Sequence, residues 1–171
     1  MKIKYKIPFK ELEEGKHQFE FRVDDTFFAG FEDSEISGGD LLVDVELVKH
    51  SKGLEVTFSI KGVVVSQCDR CLDDLDCNID YNKTIFFEFA SVTEEVTDSL
   101  ETLSYNEDSL ELDAYIYEFI NISIPIKKTH TTDKDGNSLC NPEMLERLNN
   151  ITIENTNTND PRWDKLKDLI N

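Results

Sequence analysis

The sequence predicts an α+β fold: a mostly antiparallel β-sheet with one packed amphipathic helix and short C-terminal helices. Three observations point there. Leu41, Val43, Val45 and Leu47 alternate with other residues, and Leu54, Val56, Phe58 and Ile60 alternate again after the turn-like HSKG, which is the pattern of a hairpin with one buried face. Leu75, Cys77, Ile79, Tyr81, Ile85, Phe87 and Phe89 keep one parity against Asp76, Asn78, Asp80 and Asn82, as a long half-buried strand requires, with Lys83 and Phe86 as the exceptions. Leu112, Ile116, Phe119 and Ile120 then recur at the spacing of one helical face.

Taken in order, KIKYKIPF over 2–9 reads as a strand with Lys2, Lys4 and Lys6 on one side and Ile3, Tyr5 and Ile7 on the other. HQFEFRV is a second strand, and DTFFAGFED a short helical turn. CDRCLD is the tip joining long antiparallel strands over 54–66 and 75–89. SVTEEVTDSLE reads as a polar connection and ETLSYN as an edge strand. The helix lies between Asp108 and Ile124, with 110–124 packed on the sheet, and Pro125 stops it. KKTHTTDKDGNSLC is an irregular loop rich in turn formers. Asn141 then caps a helix with Pro142 at its first position and Glu143 suited to its dipole. TIENTNTND is a polar linker, and Asp160–Pro161 opens a last helix with Trp163, Leu166 and Ile170 on one stripe. The expected organisation is a single α+β domain over 1–151, followed by linker and short helix over 152–171.

At 171 residues the chain can bury roughly 70% of its unfolded surface around one core. No run of eighteen apolar residues occurs, and charged residues occupy the N-terminus where a signal peptide would place its apolar block. The expectation is a cytoplasmic protein with no membrane segment. Thirty-six acidic against eighteen basic residues give a net charge of −18. Nucleic-acid binding draws on clustered lysines and arginines to displace counterions. The basic residues here are scattered apart from Lys127–Lys128, so direct nucleic-acid binding is disfavoured. The acidity serves solubility on one reading and recognition of basic protein partners on the other.

VSQCDRCLDDLDC, over 65–77, holds three of the four cysteines. Without an export signal these are read as thiols or metal ligands and not as a disulfide framework. A redox Cys68–Cys71 pair would need cations or a helix N-terminus to depress its pKa. Asp69, Asp73, Asp74 and Asp76 favour the neutral thiol instead, with only Arg70 against them. Zinc is the better chemical reading, because C-x-x-C spaces two sulfurs for one tetrahedral ion. The remaining ligands would be His130 and Cys140, giving the set Cys68, Cys71, His130, Cys140 and a structural zinc that ties the tip to the C-terminal loop. On the competing reading His130 is a solvated loop residue and Cys140 packs beneath its helix. Cys77 has the parity of a core residue.

No phosphate-binding loop, dinucleotide fingerprint, H-E-x-x-H or G-x-S-x-G motif occurs, and His17 and His50 sit in strand-end and turn contexts. The expectation is a protein that is not an enzyme. The rival classes are a zinc or thiol enzyme, and an interaction module whose tail PRWDKLKDLI docks in a partner's groove.

VVVSQCDRCL over 63–72, followed by the helix LDAYIYEFINISIPI and the cysteine-bearing GNSLCNPEMLERL, resembles the YceD-like family, the large ribosomal RNA subunit accumulation proteins. The resemblance implies a non-enzymatic, cytoplasmic accessory factor in large-subunit rRNA accumulation and ribosome biogenesis. Its partner would be a ribosomal or rRNA-processing protein. Members with a full cysteine set carry a second C-x-x-C after a G-L-C-P-like stretch. Here SLCNPE keeps Cys140 and places Glu143 where the second cysteine would fall, and His130 sits near the expected upstream cysteine. Cys68, Cys71 and Cys140 carry over by position, with His130 or Glu143 as substitutes. The alternative is a zinc-binding or acidic interaction module unrelated to ribosomes.

Overall fold

The structure, a computed structural model, describes residues 5–32, 34–90, 95–97 and 100–151. Lys2, Ile3 and Lys4, and the expected linker and last helix over 152–171, lie outside the described residues.

Five strands build most of one six-stranded sheet: β2 (Gly15–Val23), β3 (Gly38–His50), β4 (Gly53–Gln67), β5 (Asp74–Ala90) and β7 (Leu100–Ser104), with β6 (Glu95–Thr97) at its far edge and the order β2-β3-β4-β5-β7-β6. β3 and β4 form the expected hairpin, closed by His50↔Gly53 across HSKG. β4 and β5 pair from Gly53↔Glu88 to Gln67↔Asp74, which leaves residues 68–73 as the tip. Gly62 sits in β4 with φ 150°, where an added Cβ would lie 2.2 Å from the Asp40 carbonyl oxygen of β3, so the close approach admits no side chain.

The alternation of the strands becomes two different faces. Val43, Val45, Leu47, Val56, Phe58, Ile60, Ile85 and Phe87 are buried on one. They are covered by α1 (Asp25–Phe28), through Phe27 and Phe28, and by α2 (Asp113–Ser123), through Ile116, Phe119 and Ile120. The Phe119 ring meets Phe58 edge-on at 5.2 Å, and burying such a side chain contributes about 2–3 kcal/mol. Tyr115 of α2 donates its hydroxyl to Glu101 of β7, tying helix to sheet. Burial first, then that carboxylate, pushes the Tyr115 pKa up. The opposite face has polar and acidic side chains, among them Glu20 directly opposite Asp44. There the Thr57 and Thr84 hydroxyls bond across strands at 2.8 Å.

The N-terminal strand expected over 2–9 is, in its described part, the two-residue β1 (Lys6–Ile7). Pro8 has no N–H to continue a ladder, and Phe9–Glu11 form a 3-10 turn instead. The inward parity survives, with Tyr5 and Ile7 buried and Lys6 exposed. β1 pairs with β8 (Leu110–Glu111), which corrects the helix start. Residues 110–111 are extended against β1, Leu112 N donates to the Tyr5 carbonyl at 2.8 Å, and the helix begins only at Asp113. ETLSYN yields β7, which is interior and parallel to β5, with Phe86↔Leu100 through Ala90↔Ser104 in register. The edge is β6, from the segment read as a polar connection. This one parallel pair departs from an otherwise antiparallel sheet.

Candidate metal centre

The tip between β4 and β5 is shaped by its own backbone. Cys68 N donates to the Asp73 carbonyl and Leu72 N to the Cys68 carbonyl, each at 2.9 Å. The turn holds Leu72 at φ 64°, a left-handed conformation that costs an ordinary residue about 1 kcal/mol. Cys68 and Cys71 point inward and are buried, while Leu72 is exposed.

The segment read as an irregular loop is a small folded hairpin. Asp133 accepts the N–H groups of Asp135 and Asn137 at 2.9 and 2.8 Å, and Gly136 supplies φ 86°. Thr132 bridges Ser138, and Leu139 N donates to Thr131 O at 3.0 Å. The chain therefore returns so that His130 and Cys140 end on the same side. A two-point clamp, one bond between backbones and one to a side chain, fixes this hairpin to the tip: Asp69 N donates to Lys128 O at 2.7 Å, and Lys128 N to the Asp69 carboxylate Oδ2 at 2.6 Å. After Cys140, α3 (Pro142–Ile151) starts as expected, with Glu143 N donating to Asn141 Oδ1 at 3.0 Å.

These local structures bring together all four residues of the expected set. The donor atoms of Cys68, Cys71, His130 and Cys140 lie within 4.8 Å of one another. Cys68 Sγ is 3.8 Å from Cys140 Sγ, and Cys71 Sγ is 3.4 Å from His130 Nδ1. Bond lengths to zinc at tetrahedral angles require about 3.8 Å between sulfurs and about 3.6 Å between sulfur and nitrogen. The geometry suits that ion. Leu75, Met144 and Leu145 pack around the sulfurs and form a second, smaller apolar cluster.

The electrostatics differ from the expectation. Burial raises the Cys68 pKa, but N–H groups of Arg70, Cys71 and His130 and the Cys71 thiol outweigh it and bring it down to about 6. The neighbouring aspartates do not control it. Cys71 is pushed up, chiefly by burial. His130 is raised by hydrogen bonds with the Cys140 and Cys68 thiols. The site thus favours one thiolate, as a metal ligand must be. What argues against redox use is access, since reactive thiols are partly exposed and both sulfurs of this pair are buried.

Two other residues fall outside the set. Cys77 is a core residue on β5, buried and with its pKa raised by that burial. Glu143, the other proposed substitute, turns its carboxylate to Arg147 at 2.5 Å. Sequence reasoning missed the Asp69–Lys128 clamp and the Asp74 carbonyl, 3.1 Å from His130 Nε2. Backbone acceptors leave no trace in residue type.

The family model described as "Large ribosomal RNA subunit accumulation protein YceD" matches residues 56–170, a span that includes all four clustered residues. The chain belongs to the YceD family. Two curated relatives, "Uncharacterized protein Rv2926c" of Mycobacterium tuberculosis and "Uncharacterized protein Mb2951c" of Mycobacterium bovis, are each 27% identical to it over 143 residues. The alignments cover 82% of this chain and 68% of each relative. No solved structure gives a significant match. The YceD family is described by an accumulation role and not by a reaction. No helix among the described residues is long and apolar enough to cross a membrane.

Proposed function

We propose that this protein is a cytoplasmic, non-catalytic factor for large-subunit rRNA accumulation. It acts by binding basic ribosomal or rRNA-processing proteins, and a structural zinc at Cys68, Cys71, His130 and Cys140 shapes it. The observation that carries the reading is the four-donor cluster within the span of the family match. Four protein ligands complete a tetrahedron and leave no position for a substrate or an activated water, the arrangement of a structural zinc and not a catalytic one. Cys68 and Cys71 would hold the ion from the tip, and His130 and Cys140 from the hairpin. The ion's contribution is to fold energy alone.

The choice of a protein target rests on charge. At −18 the chain repels phosphate backbones and attracts cationic surfaces. An acidic surface is complementary to basic nucleic-acid-binding proteins that have not yet met their RNA.

The test is depletion of the protein in its own cells, with the ratio of large- to small-subunit rRNA as readout. A fall in that ratio, rescued by the wild-type chain and rescued poorly by Cys68→Ser, is the expected result. An unchanged ratio overturns the rRNA role. Tight binding of the purified chain to naked rRNA, weakening steeply with salt, overturns the protein target.

A further inference from the structure

Exposed apolar side chains occur on several elements of the described residues, and three of them belong to segments that meet at the metal-ligand cluster. Leu72 is 60% exposed, Leu139 57% and Ile126 fully so. Leu72 follows Cys71 and Leu139 precedes Cys140, whose donor atoms belong to one cluster. Ile126 lies two residues before Lys128, which is clamped to the tip. Leu72 is also the one non-glycine residue with positive φ among those described. Glycine would relieve that backbone and remove an apolar side chain from water, so the fold gains nothing from leucine there. An unexplained outlier of this kind points toward a use.

Beside Leu72 opens a cleft of about 400 Å³ lined also by Glu35, Asp69, Asp74 and Lys128. Three acidic residues and one lysine line it; the Lys128 side chain is only 15% exposed and its ammonium pairs with Glu35 at 3.1 Å. The cleft therefore presents net negative charge next to the exposed Leu72.

Building on the function proposed above, we propose that the surface around this cluster is the docking surface for a basic amphipathic segment of the partner protein. Its apolar side chains would cover Leu72, Leu139 and Ile126, while its lysines or arginines enter the acidic cleft. The charge complementarity selects this occupant over the others. RNA would meet three carboxylates and a lysine already engaged. A second copy in a two-fold contact would set the same acids against themselves.

The experiment uses the full chain carrying a photo-crosslinking phenylalanine in place of Leu72, or in place of Phe86 on the open sheet face. It is mixed with purified large ribosomal subunits dissociated into their proteins and rRNA. Adducts to basic proteins from position 72 and not from 86 are expected. With the crosslinker at Leu139, Leu72→Gly should cut the yield about tenfold, the effect of losing one buried leucine, while the melting temperature holds or rises. Adducts from 86 alone overturn the docking surface and leave the function standing. Adducts to RNA or to a second copy overturn the occupant. No adduct from either position overturns both the surface and the protein-binding function. An unchanged yield with Leu72→Gly overturns the role of Leu72.

Discussion

His130 Nε2 donates its proton to the Asp74 carbonyl oxygen 3.1 Å away, and the ring thereby turns Nδ1 toward Cys71 Sγ at 3.4 Å. A carbonyl can only accept, so Nε2 must be the protonated nitrogen and Nδ1 is left as the donor to a metal. Ligating histidines are commonly fixed by such an outer partner. The histidine is thus oriented by the first residue of β5, on the strand leaving the tip that holds the two sulfurs.

Zinc content is expected to follow the cluster and not cysteine number. Cys68→Ser and Cys140→Ser should each abolish stoichiometric zinc, measured by elemental analysis, and lower the melting temperature. Cys77→Ala should keep the metal and cost about 1 kcal/mol, as a small core truncation does. Full zinc in Cys68→Ser would remove that residue from the set.

Between the two substitute ligands, the geometry chooses His130. His130→Gln should weaken zinc affinity by more than about tenfold in a competition titration with a chelator. Glu143→Gln should leave affinity unchanged, because its carboxylate faces Arg147. A loss of affinity in Glu143→Gln would show that the carboxylate reaches the metal.

Leu72→Gly should stabilise the fold by about 1 kcal/mol by relieving the left-handed backbone, while Leu72→Ala should not. Chemical denaturation in zinc-saturated buffer reads the difference. A destabilised glycine variant would mean that the leucine side chain holds the tip.

The cap of α1 has a pH signature. Asp24 accepts from the Thr26 hydroxyl and N–H, which hold its carboxyl below its usual 3.8. A folded value below the unfolded one gives stability that is full above the unfolded pKa and lost as pH falls through the folded one. Asp24→Asn keeps a neutral cap, so its deficit against wild type should be visible at pH 7 and should vanish as acid protonates Asp24. Melting curves of both proteins from pH 7 to strongly acidic buffer test this. A deficit constant with pH would assign it to packing.

Where side chains alternate, the fold was legible. β3, β4 and β5 follow the parity of Leu41, Leu54 and Leu75, and the tip falls where CDRCLD interrupts it. The errors occur where a distant partner decides. The stripe of Leu112, Ile116, Phe119 and Ile120 is real, yet the helix expected to reach back to Asp108 starts only at Asp113, because β1 claims residues 110–111 as a strand. Glu95–Thr97 looks polar and loop-like, and pairing with β7 makes it the edge. The four site residues could be named from chemistry and spacing, since cysteine and histidine announce themselves. Their thiolate bias could not, because it depends on N–H groups whose direction only the folded turn sets.

Cys68 and Cys140 meet across 72 positions, and between them lie all of β5, β6, β7, β8 and α2. Closing a loop of that length carries an entropic cost, which is smaller once the intervening strands and helix are ordered. A bond that joins them would tie the C-terminal hairpin to the tip of the sheet. On the zinc reading proposed above, withdrawing the ion is expected to free the hairpin and α3 first, while the six-stranded sheet, held by its own ladders and core, stays assembled.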